Sequence, residues 1–256
     1  MNLFDETKDA LFQGEIQLTQ SRRGYRFSLD AILLAYFANL RPGAKAADLG
    51  AGNGVIALIL AYLHPSASIT GVEIQSNMVA RAQNNVRLND FEERIAIIRG
   101  DVREIDRLSL PGSYDAVVCN PPYRKPASGR ISPDAEKRIA RHEIKAEISD
   151  FVRAGVYLLR AKGIMALIYP AVRSIDLLAA MRQGGLEPKR LRMVHSYPGA
   201  VASLILAEGV KGGRSGTQVL APLVIYQEGK KYTSEVQRML LGSMASDPSF
   251  AARGPR

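Results

Sequence analysis

The sequence predicts an α/β fold in which a largely parallel, doubly wound sheet carries helices on both faces. Short β-branched apolar runs alternate along the chain with segments whose apolar residues recur at helical spacing. Alternation of this kind is typical of parallel sheets, in which each helix connects one strand to the next. With 256 residues, of which 46% are hydrophobic, the chain is long enough to bury a large core.

The elements can be assigned in chain order from this alternation. The run EIQLTQ alternates, and SLDAILLAYFANL (28–40) has helical spacing, a serine suited to capping and an acid in its first turn. The later predicted strands are KAADLG, ASITGVE, RIAIIRGD, YDAVVCN, GIMALIYP, KRLRMVHSY, ASLILAEGV and PLVIYQEG. The later predicted helices are GVIALILAYLH, SNMVARAQNNVRLN, KAEISDFVRAGVYLLRAK and VRSIDLLAAMRQGG. These elements predict one domain over 1–242, with an N-terminal extension of about residues 1–40. The tail 243–256 lacks periodicity and is predicted to be disordered.

The composition limits the function classes. A formal charge of +9 and a pI of about 9.7 indicate a polyanionic partner such as nucleic acid, although an inert basic surface is the alternative. The single cysteine, Cys119, excludes an internal disulfide framework, and three histidines offer no obvious zinc ligand set. We expect no metal. No apolar run approaches the roughly 20 residues of a membrane span, so we expect a cytoplasmic protein without a membrane partner.

A glycine-rich loop follows the strand KAADLG. Asp48 closes the strand, and Gly50, Gly52 and Asn53 lie in the turn before the next helix. Glycines at such a junction let the backbone approach a ligand, and a helix N-terminus supplies amide donors. The alternative is an ordinary tight turn between a strand and a helix.

Acids also end the next two predicted strands. Glu73, followed by Ile74, lies roughly 20 residues after the glycine loop, where such folds place the carboxylate that binds ribose hydroxyls. Asp101, followed by Val102, ends the strand after it and could accept a bond from an adenine amine. The alternatives are an acid at a helix start and an ordinary loop carboxylate. Ligands of open α/β sheets bind at the edge where parallel strands end.

A fourth strand ends in the tetrad Asn-Pro-Pro-Tyr, residues 120–123. Two adjacent prolines withhold two amide donors and fix the backbone, so the strand must stop at Cys119. The tetrad is therefore predicted to form a rigid lip that holds Asn120 and Tyr123 in fixed positions.

With DLGAGNG, Glu73 and Asp101 in this order, the chain resembles the class I S-adenosylmethionine-dependent methyltransferases. The resemblance implies a Rossmann-like, mostly parallel seven-stranded sheet with an antiparallel C-terminal strand. It also implies S-adenosylmethionine as cofactor, bound by Asp48, the loop 50–53, Glu73, Ile74, Asp101, Val102 and Asn120. In similar enzymes the element before the glycine loop covers the cofactor, which adds Phe27 and Asp30.

The tetrad resembles the motif of amino-methyltransferases that act on planar nitrogens. The resemblance implies that the Asn120 side-chain oxygen and the Pro121 carbonyl accept both N–H groups of the target amine, which localises its lone pair toward the methyl group. Tyr123 would stack on the flat face of the substrate, and Pro122 would supply rigidity.

A segment rich in cations follows the tetrad. Arg124, Lys125, Arg130, Arg138 and Arg141 are predicted to contact RNA, with a solvated helix face as the alternative. With RFSLDAILLA, ARHE and PLVIYQEGKKYTSEV, residues 10–240 resemble the bacterial tRNA adenine-N6 methyltransferases that modify the adenine beside the valine anticodon. The expected partner is therefore tRNA. The alternatives are methylation of a release-factor glutamine and of ribosomal RNA at guanine N2 or adenine N6.

Overall fold

The computed structural model describes residues 6–21, 29–123 and 146–243 of the chain. An N-terminal hairpin is followed by alternating strands and helices. The strands are β1 (Glu6–Leu11), β2 (Ile16–Ser21), β3 (Lys45–Leu49), β4 (Ser68–Glu73), β5 (Ile95–Arg99), β6 (Tyr114–Cys119), β7 (Leu159–Pro170), β8 (Leu186–His195), β9 (Ala202–Lys211), β10 (Gln218–Val219) and β11 (Leu223–Val224). The α-helices are α1 (Leu29–Phe37), α2 (Val55–Leu63), α3 (Ser76–Leu88), α4 (Ile148–Leu158), α5 (Ser174–Gln183) and α6 (Ser234–Leu240).

The central sheet has the strand order β5-β4-β3-β6-β7-β9-β8. All neighbouring pairs from β5 to β7 are parallel, whereas β9 runs antiparallel to both β7 and β8. The predicted seven-stranded, mostly parallel sheet with an antiparallel strand near its end is confirmed. Two short strands, β10 and β11, add to it by pairing in parallel with β8.

Two hydrophobic clusters cover the two faces of this sheet. α2 is apolar on every side, with eight of its nine residues buried, because it packs between the sheet and α1. α1 is buried over Ala31–Phe37 in the same cluster, which also receives the N-terminal hairpin. α4 and α5 cover the opposite face, where their apolar sides join Leu49, Val117 and Leu167. Each helix is therefore fixed against the sheet whose strand ends form the site described below.

The predicted helix over KAEISDFVRAGVYLLRAK was wrong at its C-terminal end. α4 stops at Leu158, and β7 begins at Leu159 with no connecting loop. Helical spacing continues into LLRAK, but tertiary contacts favour a strand there. Arg160 forms an ion pair with Asp115 at 2.7 Å, and Lys211 donates to the Leu159 carbonyl at 2.6 Å.

The chain ends also differ from the prediction. The polar segment before EIQLTQ forms β1, whose six residues pair in antiparallel register with β2. Of PLVIYQEG, only Leu223 and Val224 form a strand. α6, which Thr233 caps, follows it without a strong sequence signal. The predicted disordered tail lies outside the described residues from 244 onward. Within the part of the chain that the structure describes, none of the helices has the length and apolarity that crossing a membrane requires.

Candidate active site

The carboxyl ends of four parallel strands, β3, β4, β5 and β6, meet at one edge of the sheet. In the register of the sheet, Leu49 lies opposite Val72 on one side and Cys119 on the other. Glu73 lies opposite Arg99 at the end of the next strand. The glycine loop, the acidic ends of β4 and β5, and the tetrad therefore leave the sheet side by side, as the sequence predicts.

The glycine loop after β3 depends on backbone conformations that favour glycine. Gly50, Gly52 and Gly54 have φ angles of 77°, 57° and 83°. The amide of Gly50 donates to the Val72 carbonyl at 2.9 Å, which attaches the loop to the end of β4. A Cβ atom at Gly54 would lie 3.2 Å from the Ala82 side chain, so the loop also packs closely on α3. The result is a tight turn at the start of α2 in which Gly50 and Gly52 are partly accessible, whereas Ala51, Asn53 and Gly54 are buried.

Glu73 connects the glycine loop to the loop after its own strand. One carboxylate oxygen accepts from the Gly52 amide and the other from the Gln75 amide, both at 2.9 Å. Burial raises the pKa of Glu73, and these backbone bonds, together with one from Ile74, offset part of that rise. The side chain is thus held by backbone donors at the place predicted for the ribose carboxylate.

Asp48 is the most deeply buried acid of the edge. It is 0% exposed, and neither carboxylate oxygen forms a hydrogen bond of good geometry with a described residue, although the Ala57 amide lies close enough to interact with it. Burial, with a smaller contribution from the charge of Glu73, raises the pKa of Asp48 to about 7, while the Ala57 amide works against the rise. Unmatched acceptors of this kind are costly unless a positively charged or donor-rich group lies near them.

Asn53 connects the glycine loop to the N-terminal hairpin. Its Nδ2 donates to the Gln20 side chain at 3.5 Å, and its buried Oδ1 has no partner within the described residues. Asn85 of α3 donates to the Asn53 carbonyl at 3.0 Å and accepts from both the amide and the hydroxyl of Thr19 at 2.8 Å. The hairpin is therefore docked on the loop by buried side chains, of which the sequence analysis singled out Asn53 but missed Thr19, Gln20 and Asn85. The only sequence signal is the pair of asparagines, Asn85 and Asn89, one helical turn apart in an otherwise amphipathic helix.

Asp101 caps the short 3-10 helix Val102–Arg107 that follows β5. Its carboxylate accepts from the Arg103 amide at 2.9 Å and forms an ion pair with the Arg103 guanidinium. This side-chain bond is the main reason why the pKa of Asp101 is lowered. Val102 is buried beside it. The ionised carboxylate lies at the predicted position, although Arg103 already uses part of its capacity to accept hydrogen bonds.

β6 stops at Cys119, as predicted from the two prolines, and the tetrad follows it without regular secondary structure. Pro121 is buried, Pro122 is exposed and Tyr123 is half-buried. The Tyr123 ring packs edge-on against the buried Tyr169 ring, with 6.1 Å between centroids and 87° between planes. This contact sets the tilt of the Tyr123 ring.

A polar contact joins the tetrad to α1. The Tyr123 hydroxyl lies 2.8 Å from Asn120 Oδ1 and 2.8 Å from Asp30 Oδ2. Asp30 was predicted to cover a cofactor, and that role stays a prediction; in the structure its carboxylate contacts the tetrad. No sequence pattern signals this contact, since the two residues are 93 positions apart.

Six predicted site residues lie outside the described residues, so their expected roles stay predictions. They are Phe27, Arg124, Lys125, Arg130, Arg138 and Arg141. The described residues contain no group of three or more acidic, histidine or cysteine side chains that could hold a metal ion.

The residues at this edge fit a cofactor that carries positive charge, hydroxyls and an amine. The glycine loop presents backbone without bulky side chains at Gly50 and Gly52, and a positive charge near it would stabilise the ionised form of Asp48. Glu73 ends β4, Asp101 lies two residues after the end of β5, and both carboxylates can accept from hydroxyls and amines. Asn120 and Tyr123 lie on the far side of β3, where a second molecule could be held next to the first.

Comparison with known proteins agrees with this arrangement. Residues 29–168 match the model of the methyltransferase small domain. A tRNA1(Val) (adenine(37)-N6)-methyltransferase of Porphyromonas gingivalis is 32% identical over 197 residues, which cover 75% of this chain and 76% of the relative. The protein with the same name from Tolumonas auensis is 28% identical over 193 residues, covering 75% and 79%.

Solved structures share the fold. A predicted O-methyltransferase from Agrobacterium tumefaciens has a TM-score of 0.70 at 24% identity and covers 84% of this chain and 97% of its own. TrmN from Thermus thermophilus has a TM-score of 0.54 at 22% identity, covering 76% and 55%. The family match spans the glycine loop, both acidic strand ends and the tetrad, and the chain belongs to the methyltransferase small domain family.

Proposed function

We propose that the protein transfers a methyl group from S-adenosylmethionine to N6 of an adenine in tRNA, namely adenine 37 of a valine tRNA. The observation that carries this proposal is the similarity to tRNA1(Val) (adenine(37)-N6)-methyltransferases over about three quarters of both chains. The tetrad beside the glycine loop gives the similarity a chemical basis, and a tRNA-modifying enzyme would work in the cytoplasm.

Bound S-adenosylmethionine supplies an electrophilic methyl group on a positively charged sulfur. Asp48 and the loop of Gly50, Gly52 and Asn53 would hold its methionine end, where unmatched buried acceptors favour positive charge. Glu73, with Ile74, would accept from the ribose hydroxyls. Asp101, beside the buried Val102, would accept from the adenine amine.

The tetrad would act on the target base. The two N–H groups of an adenine amine need two acceptors, and Asn120 Oδ1 and the Pro121 carbonyl are suitable because the prolines fix their spacing. Both bonds grow stronger as positive charge develops on the nitrogen, so they stabilise the transition state more than the bound substrate. The Tyr123 ring would stack on the base, and the cations after the tetrad would hold the RNA backbone.

The test is mass spectrometry of nucleosides after incubating the protein with methyl-deuterated S-adenosylmethionine and an unmodified valine tRNA transcript. The expected product is labelled N6-methyladenosine, formed from the natural transcript and absent when adenine 37 is replaced by guanine. Equal labelling of both transcripts would contradict the position. No label in any tRNA, with cofactor binding intact, would contradict the substrate class and direct the assay to ribosomal RNA and release-factor glutamine.

A further inference from the structure

The hydroxyl of Tyr123 lies between two oxygens. Asp30 Oδ2 and Asn120 Oδ1 are each 2.8 Å away, close to the ordinary length of a bond from a hydroxyl to an oxygen. A phenol carries a single hydrogen, so it can donate to only one of them at a time. The other oxygen then faces the lone pairs of the hydroxyl, which is unfavourable.

The carboxylate is the stronger competitor for this hydrogen. Hydrogen bonds to an ionised acceptor are roughly twice as strong as those between neutral groups. The Tyr123 hydroxyl therefore donates its hydrogen bond to Asp30, and its oxygen is left to accept a hydrogen bond from Asn120. An amide has nearly the same shape at both ends, so a half-turn of the Asn120 side chain replaces Oδ1 by Nδ2 without a change in packing.

This half-turn resolves the conflict and has a consequence for the reaction. With Nδ2 donating to Tyr123 and Tyr123 donating to Asp30, the Asn120 Oδ1 atom is directed away from Tyr123. An amine substrate needs an acceptor at Asn120, because an amide NH₂ would face its N–H groups with further donors. We propose that Asp30 is a positioning residue that acts through the Tyr123 hydroxyl to keep the oxygen of Asn120 available to the target amine. This inference rests on the proposed function.

The inference differs from the role predicted for Asp30 by resemblance, which was to cover the cofactor. A residue that covers the cofactor would change the dissociation constant of S-adenosylmethionine when it is replaced. A residue that orients Asn120 would change kcat and leave that constant nearly unaltered. The two roles can therefore be separated by measuring both quantities.

The sharpest test compares Asp30→Ala, Tyr123→Phe and the double variant. In Asp30→Ala the Tyr123 hydroxyl loses its preferred acceptor and donates to Asn120 Oδ1, which occupies the oxygen that the substrate needs. We expect kcat to fall about 30-fold in Asp30→Ala and about threefold in Tyr123→Phe. The double variant should return to about the rate of Tyr123→Phe, since no hydroxyl remains to occupy Asn120. A double variant slower than Asp30→Ala would overturn the inference.

Two further measurements exclude a merely structural role. Asp30→Asn keeps an acceptor oxygen for the Tyr123 hydroxyl, so it should retain more activity than Asp30→Ala. Calorimetric titration with S-adenosylmethionine should give dissociation constants within about twofold of the wild type for every variant. A tenfold weaker constant in Asp30→Ala would instead support the cofactor-covering role and overturn the inference.

A readout without turnover separates this inference from the proposed function. In an NMR spectrum of the protein labelled with ¹⁵N-asparagine, the side-chain signal of Asn120 can be assigned because it is absent from the spectrum of Asn120→Ala. Its NH₂ protons should exchange with solvent several-fold faster in both Asp30→Ala and Tyr123→Phe than in the wild type, because both changes remove the bond to Tyr123. Unchanged exchange in Asp30→Ala would overturn the positioning role even if tRNA is methylated. Faster exchange would support it even if another substrate is used.

Discussion

The two halves of the site are held in place in different ways. The proposed cofactor half consists of the loop 50–54, Glu73 and Asp101. Backbone amides of Gly52, Gln75 and Arg103 donate to its carboxylates, and the Arg103 side chain adds an ion pair to Asp101. The substrate half, Asn120–Tyr123, is held together by contacts between side chains. The Tyr123 hydroxyl contacts Asn120 within this half and Asp30 of α1 outside it.

This difference predicts which property of the enzyme, cofactor affinity or kcat, a substitution in each half should alter. Backbone donors stay in place when a side chain is replaced, so a change in the cofactor half should mainly alter affinity. The substrate half has few such donors, because two of its four residues are prolines. In the proposed reaction its side chains would orient the reacting amine. A change there should mainly alter kcat.

The strongest challenge to this comparison is Asn120→Ala. Loss of the amide acceptor should lower kcat about 1,000-fold, in line with the removal of a transition-state hydrogen bond. The dissociation constant of S-adenosylmethionine should change by less than about threefold, because the glycine loop and Glu73 are untouched. Single-turnover methylation and calorimetric titration measure the two quantities. A collapse of cofactor affinity would show that the two halves are not separate.

The complementary change is Glu73→Gln. The side chain accepts from two amides, whereas glutamine has one acceptor oxygen and an NH₂ group that would face the second amide. We expect the dissociation constant of S-adenosylmethionine to rise about 30-fold, and kcat at saturating cofactor to stay within about threefold. Glu104→Gln is a matched control, since Glu104 is an exposed acid paired with Arg107. The dissociation constant of S-adenosylmethionine for Glu104→Gln should equal that of the wild type.

Asn85→Ala tests whether the N-terminal hairpin supports the cofactor half. The variant leaves the Thr19 amide and the Asn53 carbonyl without their partner, so the free energy of unfolding should fall by about 2 kcal/mol. Urea unfolding measures the loss. Asn89→Ala, which removes more exposed bonds to Gln17, should cost about half as much. An equal loss of unfolding free energy in the two variants would show that burial does not determine how much each asparagine contributes to stability.

The smallest expected effect concerns pH. The pKa of Asp48 is raised from 3.8 to about 7 in the folded protein, so the native state keeps a proton that the unfolded state loses at lower pH. Stability from this group is therefore present below about pH 4 and is lost as pH rises toward 7. Asp48→Asn removes this dependence. Between pH 6 and 8, its free energy of unfolding should fall by about 1.4 kcal/mol less than that of the wild type. Parallel curves for the two proteins would show that Asp48 is ionised throughout.

The same contrast explains how much could be predicted from the sequence. The alternation of strands and helices, the glycine loop, Glu73 and Asp101 follow from local patterns, because parallel strands bring their ends to one edge. The bond between Asp30 and Tyr123 joins segments 93 residues apart, and no local pattern encodes it. The end of α4 was mispredicted for a similar reason, since the helical spacing of LLRAK gives way to contacts with Asp115 and Lys211.

The two short strands near the C-terminus also affect how the protein behaves at high concentration. β8 is a ten-residue strand that would otherwise be an open edge of the sheet, available to strands of other molecules. β10 pairs with Arg190 and Leu191, β11 pairs with Val194 and His195, and between them Arg192 donates its Nε–H to the Ala221 carbonyl. The segment 218–224 thus covers the edge over most of its second half. A chain shortened before Gln218 would lose this cover and should aggregate through edge-to-edge pairing.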